Sequence, residues 1–169
     1  MHYTDILDIF SVRGHSRQRV RGFTLVELLL AVAILGTLSA IAVPTYNNYT
    51  DNARNSSAIA DIRGIEVEIM KFQAERGRPP NNFADAGLPT RLDPWGRPYQ
   101  YLRLQFPGID PRTIPGHRKD KSLNPLNADF DLYSIGKDGN TAINLNTPAS
   151  HDDIVRANNG AFVGLGSEY

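Results

Sequence analysis

Residues 22–29 read Gly22-Phe23-Thr24-Leu25-Val26-Glu27-Leu28-Leu29, and the run continues without another charge to Val43. Residues 23–43 are therefore 21 residues whose single charge is Glu27. As a helix, a run of that length crosses a bilayer core of roughly 30 Å. A carboxylate at membrane depth is costly and needs a partner or a role, yet no lysine or arginine lies within the run. A cut after Gly22 would free the amine of Phe23 one helical turn from Glu27. That amine could serve Glu27 in its own chain or in a neighbouring copy.

Upstream, residues 1–22 are polar and basic, with Arg13, Arg17, Arg19 and Arg21 against Asp5 and Asp8. The positive-inside bias keeps such a leader cytoplasmic. A basic segment followed by an apolar run also describes a cleaved secretory signal, and Ala40-Ile41-Ala42 resembles its cleavage site. Against that reading, the run is about twice the usual apolar core of roughly 7–15 residues. It also contains a glutamate and leads into a second helical pattern.

That second pattern occupies residues 58–76. Ile59, Ile62, Ile65, Ile69 and Phe72 recur at helical spacing, with Arg63, Glu66, Glu68, Lys71 and Glu75 on other positions. Gly77 and Pro79-Pro80 stop the helix. The pattern predicts one long helix from Phe23 to about Arg76, apolar throughout its first half and one-sided in its second. Pro44 is able to bend it. Beyond it, residues 99–106 and 130–135 read as strands, and Phe162, Val163 and Leu165 as a last one. Lys137-Asp138-Gly139-Asn140 reads as a turn. The stretch 107–128, with four prolines and the run Arg118-Lys119-Asp120-Lys121, reads as an irregular loop. A long helix packed on a small antiparallel sheet is an α+β architecture, with Trp95, Tyr99, Tyr101 and Tyr133 as core aromatics.

The chain has 18 basic and 18 acidic residues. Residues 23–169 keep 14 and 16 of them, a net −2. No nucleic-acid partner is expected from that balance. Absence of cysteine excludes disulfides, thiol catalysis and Cys-ligated zinc. An exported domain must then be held by its core, a metal ion or assembly. Catalytic constellations are not evident. His2 and His15 fall in the leader, His117 in the charged loop, and His151 beside Asp152-Asp153 without a second histidine for a transition metal. Residues 136–140 lack the following helix that a phosphate loop needs. The chain reads as a structural protein and not as an enzyme.

The segment 22–29 resembles the processing motif of type IV pilins and type II secretion pseudopilins, and Pro44 also matches. The resemblance implies cleavage between Gly22 and Phe23 by prepilin peptidase, N-methylation of Phe23, and assembly guided by Glu27 on the amine of the adjacent subunit. Asp93-Pro94-Trp95-Gly96-Arg97-Pro98-Tyr99-Gln100-Tyr101 and Asp131-Leu132-Tyr133-Ser134-Ile135-Gly136-Lys137-Asp138-Gly139 resemble two segments of the major pseudopilin. Asp152-Asp153-Ile154 resembles its terminal acidic segment, and the lack of a cysteine pair points the same way.

The implied organisation is a leader (1–22), a transmembrane and assembly helix (23–43) and a periplasmic pilin-like domain (44–169). Such a chain is single-pass in the inner membrane, with its N-terminus cytoplasmic, and is extracted into a homo-oligomeric helical pseudopilus that drives protein export. Its implied partners are membrane lipid, an inner-membrane assembly platform and minor pseudopilins. The alternative is a type IV or minor pilin for adhesion, motility or DNA uptake. The resemblance further implies Ca²⁺ held by Asp138 and by Asp152, Asp153 or both, with carbonyls near residues 134–136. Calcium takes six to eight oxygen ligands, and the adjacent aspartates need a counter-charge. The insertion 107–129, the loop 141–151 and a tail of fifteen residues after Ile154 are longer than the resemblance leads one to expect.

Overall fold

Helix α1 starts at Leu25 and ends at Arg76. Its stop is the expected one: Gly77 adopts φ +70° and donates its N–H to the Gln73 carbonyl at 2.8 Å, a left-handed C-terminal cap that favours glycine. These observations come from a computed structural model that describes residues 22–169; the rest of the expected leader lies outside the described residues. Two units divide the chain between Val43 and Pro44. In the first, the apolar side chains of α1 from Leu25 to Val43 are exposed. Pro44 lies inside the helix and not at its end.

In the second unit a four-stranded antiparallel sheet follows α1. Its strands are β1 (Gln100–Arg103), β2 (Phe130–Ser134), β3 (Ile154–Ala157) and β4 (Phe162–Leu165), in the order β1-β2-β3-β4. Tyr101 faces Leu132, Tyr133 faces Val155, and Val155 faces Gly164. Strand β1 is shorter than the expected 99–106. The N–H groups of Leu104 and Gln105 both reach the Asp129 carbonyl, at 2.8 and 2.9 Å, two residues against one as in a bulge. Strand β3 was not expected at all.

The sheet is buried on both faces. On one, Ile62, Ile65 and Ile69 of α1 pack with Tyr99, Phe130, Leu132 and Ile154, and Trp95 and Tyr101 add to the cluster. The isoleucine stripe and these core aromatics are thus where the 3.6-residue and two-residue periods put them. On the other, Leu126, Leu145, Val155 and Ala157 form a second cluster with Tyr133 and Phe162. The long insertion supplies Leu126, and the loop before β3 supplies Leu145. Strand β3 is consequently buried at all four residues, Arg156 included.

Arg156 corrects the reading of Glu66 as part of a polar outer face. Glu66 is buried, and Arg156 Nε donates to its Oε1 at 2.7 Å. The same guanidinium donates to both Asp129 oxygens at 2.8 Å and lies 4.0 Å from the centre of the Phe130 ring. Burial works to lower the pKa of Arg156, but its bonds to Asp129 and Glu66 outweigh it, so the group stays charged. Gly160, at φ +92°, sits so close that an added Cβ would lie 1.9 Å from Glu66 Oε1. The outward positions of this half of α1 include two apolar residues, Val67 and Met70, both exposed.

Candidate functional site

At the N-terminus of α1 the local sequence builds its own cap. Thr24 precedes the first helical residue, and Glu27 lies three residues on, the reciprocal arrangement of a capping box. Glu27 N–H donates to Thr24 Oγ1 at 3.2 Å. Thr24 N–H and Thr24 Oγ1 donate to Glu27 Oε2 at 2.8 and 2.9 Å. In the uncut chain, Glu27 is thus satisfied by Thr24. Gly22 and Phe23 precede the helix and are exposed, with open space around Gly22. A peptide bond there lies outside regular structure. The stretch from Leu25 onward is long and apolar enough to cross a membrane, and none of its most apolar window is buried within the protein.

The two pseudopilin-like segments of the second unit dock on each other. Asp93 accepts at Oδ1 from the N–H groups of Trp95 and Arg97, at 3.0 and 2.9 Å, which fixes the Pro94-Trp95-Gly96 turn. Its other oxygen accepts from Ser134 Oγ at 2.6 Å. Arg97 reaches across to donate to the carbonyls of Gly136 and Lys137. Tyr99 and Tyr101 close the cluster through hydroxyl bonds to Asp61 and to the Pro80 carbonyl, at 2.9 and 2.7 Å.

The carboxylates expected to hold calcium lie in adjoining loops. Asp138 N–H donates to Asp152 Oδ2 at 2.8 Å, and Asp138 Oδ1 accepts from Asn140 N–H at 2.7 Å. Gly136, at φ +66°, allows this approach, because a Cβ there would meet the Asp152 carbonyl oxygen at 2.3 Å. Asp153 is directed elsewhere. It is fully buried, and its Oδ2 accepts from Arg118 Nη2 and Thr141 Oγ1, each at 2.6 Å. Among the described residues, no group of three or more histidine, aspartate or glutamate side chains is arranged to hold a metal ion. Arg118, in the charged run of the expected irregular loop, is buried and lies 4.3 Å from the centre of the Tyr133 ring. Its N–H donates to Asp131 Oδ2 at 2.7 Å, and burial raises the Asp131 carboxyl pKa against the pull of that bond. His117 is buried against the Ile114 carbonyl, while His151 is exposed.

Two of these groups escaped sequence reasoning. The Thr24–Glu27 cap had a local signature. The buried role of Arg118 had none, because its partner lies 35 residues away.

The profile described as the prokaryotic N-terminal methylation motif matches residues 17–43. Among curated proteins, the chain is 31% identical to the type II secretion system core protein G of Pseudomonas aeruginosa, over 73% of this chain and 87% of that one. It is 28% identical to the protein of the same name from Pectobacterium carotovorum, over 83% and 86%. A fimbrial protein of Neisseria meningitidis is 27% identical over 82% and 79%. No solved structure matches significantly. With a capped apolar helix, a four-stranded meander on its second half, and that identity over most of both chains, this protein belongs to the type IV pilin-like family of the type II secretion system core protein G.

Proposed function

We propose that the chain is the assembling subunit of a periplasmic pseudopilus that drives protein export by type II secretion. The observation that carries this is the exposed apolar stretch of α1 up to Val43, with Glu27 as the only charge of residues 23–43, in a chain similar along most of its length to core protein G. In this reading prepilin peptidase cuts between Gly22 and Phe23, and Phe23 is N-methylated. The freed amine of one subunit then pairs with Glu27 of the next. The chain crosses the inner membrane once, with the domain from residue 44 on in the periplasm, and enters the filament with minor pseudopilins at an assembly platform. Exposed Val67 and Met70 offer apolar surface to neighbouring copies. The role is structural and not catalytic.

In-frame deletion tests the export role. The culture medium of the deletion strain should lose the secreted proteins, and the wild-type chain in trans should restore them. Normal export together with lost motility or adhesion would replace this reading by that of a type IV pilin.

A further inference from the structure

Three of the oxygens around the expected calcium site accept from side-chain cations, and Asp138 and Asp152 accept from backbone N–H groups. A calcium site needs six to eight oxygens directed at one point. Here the carbonyls of Gly136 and Lys137 accept from the guanidinium of Arg97, and Asp153 Oδ2 accepts from that of Arg118. The Arg118–Asp153 pair is 2% and 0% exposed. Thr141 Oγ1 ties it together, accepting from Arg118 Nη1 and donating to Asp153. Asp153 Oδ1 is the one carboxylate oxygen of this group that is buried without a partner, and Arg118 Nε is likewise unpaired. One such oxygen beside a guanidinium does not form a shell for a divalent ion. The residues present therefore do not fit calcium.

We propose that Arg97 and Arg118 act as built-in cations that join the loops 136–141 and 151–153, so that this domain folds without a divalent ion. Arg97 lies beside the segment 136–139, and Arg118 comes from the long insertion. Together they bring the two positive charges that a calcium ion would bring. The surroundings are shaped to them. Gly139, at φ +74°, lies so near Arg97 that an added Cβ would be 2.7 Å from its Cζ. The Tyr133 ring flanks the Arg118 guanidinium, a favourable contact for a desolvated cation. Guanidinium stays charged at every physiological pH. A metal ion stabilises by an amount that grows with the logarithm of its concentration over its dissociation constant. The insertion thus supplies a cation whose occupancy does not depend on the medium, whatever the chain's role in export.

The test uses the full-length protein in detergent, followed by thermal melting in millimolar calcium and in chelator, and by calcium titration calorimetry. The expected result is a melting temperature equal within about 2 °C in the two conditions, with no saturable heat of calcium binding. Arg118→Gln should lower it by about 10 °C or more, because it leaves Asp153 buried and unpaired. A larger calcium-dependent rise in the wild-type protein, or saturable calcium binding, would overturn the proposal. So would an Arg118→Gln variant that melts like the wild type. Should that variant not fold, the wild-type comparison decides alone.

Discussion

Replacing Glu27 by alanine is expected to abolish export while leaving the chain in the membrane. The change removes the only charge of the apolar segment, so insertion is unimpaired or improved. It also removes the proposed partner of the neighbouring subunit's amine and the acceptor in the Thr24 cap. Glu27→Gln separates these effects, since glutamine can still close a capping box but carries no charge. If the amine pairing drives assembly, both variants should lower secretion at least about tenfold, the order expected for losing a charge-assisted bond. Thr24→Ala, which damages only the cap, should be far milder. Secretion titres normalised to membrane-inserted subunit provide the measurement. Wild-type secretion by Glu27→Ala would remove the pairing mechanism.

The second large effect is expected at Arg156. Its guanidinium serves Glu66 on α1, Asp129 before β2, the Phe130 carbonyl and Asn127 through three nitrogens. It therefore cross-links the helix to the sheet. Arg156→Ala leaves Asp129 without its counter-charge and leaves buried Glu66 with only Arg63, whose Nη1 lies 3.2 Å from its Oε2. Breaking a buried pair in this way costs about 3–5 kcal/mol, a large share of a domain's usual 5–15 kcal/mol. The melting temperature of the full-length protein, followed by circular dichroism, should fall by about 10–20 °C. Arg156→Lys should recover little, because one ammonium cannot reach the set of acceptors that the planar fork spans. A variant melting within about 2 °C of the wild type would show that the network is not a support of this fold.

The distribution of charges explains which parts of the fold could be read in advance. Helix α1 was legible because its signals are local: an unbroken apolar run, isoleucines every three or four residues, and Gly77 as a stop. The capping signature Thr24-x-x-Glu27 was also local, and it places the helix start after Thr24 instead of at Phe23. Strands β2 and β4 showed through their apolar and aromatic residues. Strand β3 did not, because Arg156 interrupts a four-residue segment that follows two aspartates, and such a stretch reads as surface. What buries it is Glu66, 90 residues earlier, and no periodicity records a pairing at that distance. The burial of Arg118 was hidden for the same reason. A charged run on a proline-rich loop looks solvated until Asp153 and Tyr133 are seen around it. The carboxylates of residues 138, 152 and 153 were readable as a group, but not the pairing of Asp153 with Arg118. The processing position and Glu27 were legible as a motif, and both lie within the residues that the N-terminal methylation profile matches.

The mature N-terminus tests the central claim most directly. Intact-mass analysis of the subunit purified from membranes should give the mass of residues 23–169 with one added methyl group, which tandem fragmentation assigns to the amine of Phe23. That amine is the group Glu27 is proposed to meet in the next subunit. An N-terminus at Val43, after Ala40-Ile41-Ala42, would contradict it. The apolar helix would then be a discarded signal, and no membrane-held subunit would exist to assemble.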